Sequence, residues 1–81
     1  MNDTRPMSYT TEATLDFIRD YKRDNNGNSP SLREIAAGIG VASTAVASHH
    51  VVKLEQRGYI RRVPYRSRWI ELVEEVTAAT D

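Results

Sequence analysis

The sequence has no cysteine, which excludes a disulfide framework, a thiolate nucleophile and a cysteine-ligated zinc site. It has no long apolar run either. The longest stretch free of formal charge, Ile35–Val52, is interrupted by Gly38, Gly40, Ser43, Thr44, Ser48 and two histidines, so it does not read as a membrane span. The opening MNDTRPMSYT lacks the apolar core of a signal peptide, and the expected location is the cytoplasm. An enzyme is not expected: no nucleophile–base pair stands at workable spacing, no glycine-rich loop could cradle a phosphate, and no carboxylate pair suits acid–base work. What is present, 40% hydrophobic and 27% charged residues in 81, describes one small folded domain rather than a disordered chain. A domain of this size buries only about 60–65% of its unfolded surface.

Net charge is also missing, since eleven basic and eleven acidic residues cancel. The cancellation hides an asymmetry. Residues 1–31 hold four basic and five acidic groups. Residues 32–68 hold seven basic groups (Arg33, Lys53, Arg57, Arg61, Arg62, Arg66, Arg68) against Glu34 and Glu55, a local +5. Residues 69–81 hold four acidic groups and no basic one. A +5 centre between acidic ends points to a polyanionic partner for the centre.

Along the chain, residues 1–7 read as a disordered lead and 74–81 as an acidic flexible tail, with one domain over 8–73. A first helix is predicted to start near Ser8–Thr11, with Leu15, Phe17, Ile18 and Tyr21 facing a core and Asp16, Arg19, Asp20, Lys22 and Arg23 outside. It should stop within Asn25–Pro30, where Asn and Gly accept left-handed backbone and Pro30 disfavours helix at Ser29. Ser31 and Glu34 form a capping box that starts a second helix presenting Leu32, Ile35, Ala36 and Ile39. Gly38 within it costs about 1 kcal/mol against alanine, and Gly40 supplies the positive φ of a turn. Ser43 caps a third helix reaching about Arg57, with Ala47, His50, Val51 and Leu54 on the core face. Ala45, Ser48, His49, Val52 and Gln56 lie opposite, flanked by Val46 and Lys53. Gly58 ends this helix as a left-handed residue.

Two strands are predicted next, about Tyr59–Val63 and Arg68–Leu72, with Ile60, Ile70 and Leu72 inward and Pro64–Ser67 at the tip. The alternation leaves open whether Arg61 or Arg62 points outward. Two short helices joined by a glycine turn and followed by a basic hairpin make the fold class mainly α with a small β-hairpin (α+β), a three-helix winged helix-turn-helix. His49 and His50 point about 100° apart and lack a third ligand, so no metal is expected, and no cofactor. His50 reads as a partly buried core residue.

LDFIRDY (Leu15–Tyr21), PSLREIA (Pro30–Ala36) and LEQRGYIRR with IEL (Leu54–Arg62, Ile70–Leu72) resemble the N-terminal DNA-binding domain of the LexA repressor family. The resemblance runs from about Met7 to Leu72. It implies a cytoplasmic, nucleoid-associated bacterial or phage repressor of DNA-damage-response (SOS) genes, binding a palindromic double-stranded operator as a homodimer. LexA repressors continue into a second domain that dimerises and cleaves itself with a serine–lysine pair. That domain is not in this sequence, and a stand-alone homologue or an isolated domain is expected. The hairpin departs from the family pattern at Val63, Tyr65 and Trp69.

The family's operator-reading positions correspond to Ser43, Ala45, Val46, Ser48 and His49. Ser48 could bond a base edge, His49 a guanine N7 or O6, and Ala45 and Val46 could touch thymine methyl groups. Ser43 and Thr44 suit a phosphate at the helix N-terminus. Arg33, Thr44, Lys53, Arg61, Arg62, Arg66 and Arg68 are the candidate backbone contacts. An alternative stays open: a winged helix that binds another regulator, as an antirepressor would, through Val52, Tyr65 and Trp69. For Trp69, packing over the hairpin is an equal reading.

Overall fold

Three hydroxyl caps set the helices. The computed structural model describes residues 7–64 and 66–73. Ser8 Oγ accepts from the Thr11 amide and starts α1 (Tyr9–Asp24). At Ser31 both halves of the capping box form, Ser31 Oγ accepting from the Glu34 amide and Glu34 Oε1 from the Ser31 amide, and α2 (Leu32–Ile39) follows. That backbone bond also holds the Glu34 carboxyl below its ordinary range. Ser43 Oγ accepts from the Val46 amide at the head of α3 (Thr44–Gln56). Gly40 (φ 79°) and Gly58 (φ 82°) take the left-handed backbone expected of them. The hairpin pairs β1 (Ile60–Arg62) with β2 (Ile70–Leu72) antiparallel, Ile60 opposite Leu72 and Arg62 opposite Ile70.

Leu15, Ile18, Ile35, Ala36, Ala47, Val51, Leu54, Ile60 and Ile70 form one buried cluster in which all three helices meet the hairpin. The faces read from the sequence for α2, α3 and the strands supply most of it. On α1 the buried face is less apolar than expected, because Thr11 and Thr14 are buried as well. Thr14 Oγ1 returns its hydrogen bond to Thr10 O, so the hydroxyl enters the core already satisfied. Met7 and Phe17 pack on the cluster edge, while Tyr21 is only half-buried and donates its hydroxyl to Glu34 Oε2. The lead over residues 1–6 and the tail over 74–81 lie outside the described residues.

Both strands are shorter than predicted. The ladder extends by Val63 N to Trp69 O and Val73 N to Tyr59 O. Arg68 and Trp69, expected in the second strand, instead turn toward the α1–α2 loop, where Arg68 donates to Asn26 O and Trp69 Nε1 to Pro30 O.

Gly38 has a reason that helix propensity alone conceals. A Cβ at this position would collide with the Phe17 ring, which itself packs tilted on Tyr21 at a centroid distance of 6.1 Å. Gly38→Ala is therefore expected to destabilise the protein, although alanine gains about 1 kcal/mol in a helix. In a Phe17→Ala background the same change should recover that gain. Urea unfolding of the four proteins of this cycle checks the reversal of sign.

Candidate nucleic-acid interface

α2 and α3 are joined by residues 40–43 and meet at 94°, the geometry of a helix-turn-helix. The turn lifts the N-terminus of α3 clear of the core. Ser43, Thr44, Ala45, Val46 and His49 are exposed there and Ser48 is half-exposed. Val46, with 41% of its surface open, is one of two large hydrophobic residues exposed among the described residues. All five candidate base-reading residues thus share one uncharged surface, with Ala47, Val51 and Leu54 buried behind them. An open groove between α2 and the head of α3 brings Arg33 beside Ser43 and Thr44, together with Ala37 and Val41. A cation and free helix N–H groups meet at that point, a combination suited to phosphate.

The wing's arginines are less free than the sequence suggests. Arg61 is ion-paired with Glu71 across the outer face of the hairpin. Arg62 takes the inner face opposite Ile70 and reaches Glu55 on α3 at 2.8 Å, which answers which of the two points outward. Arg68 lies over Gly27 and donates to Asn26 O at 2.6 Å. Arg33, Lys53 and Arg66 make no side-chain hydrogen bond or ion pair with another described residue. Of the residues named for a protein-binding face, Val52 is half-buried, Trp69 packs against the core edge, and Tyr65 lies outside the described residues.

His50 is half-buried between α3 and α1, with Nδ1 3.0 Å from Thr11 Oγ1, which exchanges a hydrogen bond with the cap Ser8. Burial first, then His49 and Lys53, lowers its pKa below the ordinary histidine value of 6.5. The unfolded chain then binds the proton more readily than the folded one. The stabilisation is complete above that ordinary value and is lost as pH falls through it toward the folded pKa. Thermal unfolding from pH 7.5 to 5 should show a decline that His50→Gln removes.

Two residues that matter to the site were not singled out from the sequence. Lys22, expected outside, is half-buried and donates to three oxygens. Its spacing from Leu15 and Ile18 places it on their face of the helix, a signal that was available. Ser29 is buried, its Oγ bonded to both N and O of Ile70. No spacing rule points to it, because the partner is 41 residues away.

Residues 5–69 match the family model described as LexA DNA binding domain. Among curated proteins, the LexA repressor of Carboxydothermus hydrogenoformans is 38% identical over 69 residues, covering 85% of this chain and 33% of the relative. The LexA repressor of Brevibacillus brevis is 41% identical over the same length, with the same shares. That of Bacillus thuringiensis (strain Al Hakam) is 44% identical over 61 residues, 75% of this chain and 29% of the relative. The chain thus spans about a third of the length of the relatives it matches. A protein-interaction winged helix gains no support from these matches.

Proposed function

Since this chain belongs to the LexA DNA-binding domain family, we propose that it acts as a transcriptional repressor of the DNA-damage-response type, reading duplex DNA with α3 and holding its backbone with the wing. The observation that carries this reading is the 94° helix-turn-helix with an uncharged, exposed α3 N-terminus and a cation at its side. A helix presented in this way enters the major groove with short side chains near the bases. Ser48 and His49 are the polar readers, Ala45 and Val46 the thymine-methyl contacts, and Ser43 bonds at the groove edge. Arg33, Thr44, Lys53 and Arg66 hold phosphates, joined by Arg61, Arg62 and Arg68 where their present partners release them. Two copies bind a palindrome whose half-sites lie about 34 Å apart, or a multiple of that.

Selection of bound duplexes from a random pool tests the reading, with a palindromic motif as the expected product. Ser48→Ala and His49→Ala should each relax discrimination at one base position by about 1–3 kcal/mol. Operator affinity indifferent to both would sink the recognition-helix assignment. Arg66→Ala should weaken all sequences alike and reduce the salt slope by about 0.9.

A further inference from the structure

We propose that Lys22 is a positioning residue for the wing, fixing β2 against the α1–α2 loop and so setting where the wing arginines stand relative to α3. An ammonium carries three donors and no acceptor. Here Lys22 Nζ meets Gly27 O at 2.7 Å, Ile70 O at 2.8 Å and Ser29 Oγ at 3.4 Å. Two of the acceptors lie in the α1–α2 loop and the third is the first residue of β2, so one side chain of α1 ties the helix, the loop and the strand.

The wing needs such a tie. A hairpin of three paired residues per strand is marginal alone, and here it is supported by the loop in place of a third strand. Ser29 N donates to Ser67 O at 2.6 Å, Ser29 Oγ bonds Ile70 N and O at 3.1 Å each, and Trp69 Nε1 donates to Pro30 O at 3.0 Å. Lys22 differs from these in being anchored on a helix of the core and charged, which makes its bonds the stronger ones. Without the ammonium, Gly27 O loses its side-chain donor and β2 its one link to α1 by hydrogen bond among the described residues. The wing carries Arg61, Arg62, Arg66 and Arg68, whereas base reading belongs to α3. Loss of the tie should therefore reduce the electrostatic hold and leave base preference unchanged.

This inference rests on the DNA-binding reading for its consequence but not for its geometry, and the two are separable by experiment. Trp69 is the chain's one tryptophan, so its fluorescence reports wing placement without DNA. In Lys22→Met the emission should shift to the red at full helix content by circular dichroism. The slope of log affinity against log salt should become shallower by about 0.9, the share of Arg66, which is about eightfold weaker binding at 100 mM salt, with an unchanged selected motif. Lys22→Arg, which keeps the cation, should restore both readouts toward wild type. If Lys22→Met does not fold, Lys22→Gln, which cannot span all three acceptors, is read in the same way. A folded variant with unchanged emission overturns the proposal, and so does shifted emission with an unchanged salt slope. Wild-type protein that retards no duplex at low salt would instead remove the DNA reading, leaving emission to decide the placement of the wing.

Discussion

Raising salt from 50 to 200 mM is expected to weaken duplex binding about 40-fold per domain, rather than the roughly 2,000-fold that six phosphate-bound cations would give. The smaller figure follows from the ion pairs already made. Each phosphate neutralised adds about 0.9 to the slope of log affinity against log salt. Arg33, Lys53 and Arg66 carry no such commitment, whereas Arg61 is held by Glu71, Arg62 by Glu55 and Arg68 by Asn26 O. A paired arginine moved onto phosphate leaves its carboxylate facing the DNA, which offsets the gain. The slope should thus lie near −2.7 for one domain. Glu71→Gln and Glu55→Gln should each tighten binding about two- to fivefold at low salt, the range set by the modest strength of exposed pairs, and should steepen the slope. A wild-type slope near −5 with no effect of either substitution would show that the pairs exchange freely and do not limit the grip.

Leu54→Ala should cost about 3–5 kcal/mol, a large part of the roughly 4–12 kcal/mol that holds a domain of this size together. Leu54 is fully buried and belongs to the cluster in which α1, α2 and the hairpin all meet α3. Its removal leaves a cavity beneath α3 that three neighbouring elements would have to move to fill. The melting temperature should fall by at least about 12 °C, and DNA binding should disappear with the folded fraction as temperature rises. A loss below about 1 kcal/mol in urea unfolding would mean that the core collapses around the gap and that α3 is held mainly from elsewhere.

Leu54 was legible in the sequence, because its spacing from Ala47 and Val51 repeats with the helix. The same holds for the three serine caps and for Gly40 and Gly58, whose roles depend on residues at most four positions away. Ser48 and His49, the proposed base readers, were placed away from the core by that periodicity and by the family resemblance together. Gly38 was legible only as a cost, since its benefit is the Phe17 ring of another helix. Lys22 shows the limit from the other side: periodicity put it on the buried face, and its charge argued for the outside. The structure resolves this by giving the ammonium three oxygens while its stem packs inward.

The sequence by itself thus determined the helix boundaries, the turn, the hairpin and the uncharged character of the exposed α3 N-terminus, all consequences of local backbone preference and short-range periodicity. Only the tertiary structure decided which arginines are occupied, how the wing is fastened to the α1–α2 loop, and why a glycine stands inside α2. Those depend on pairs brought together from 7 to 48 residues apart, and no rule of propensity or spacing reaches across such separations.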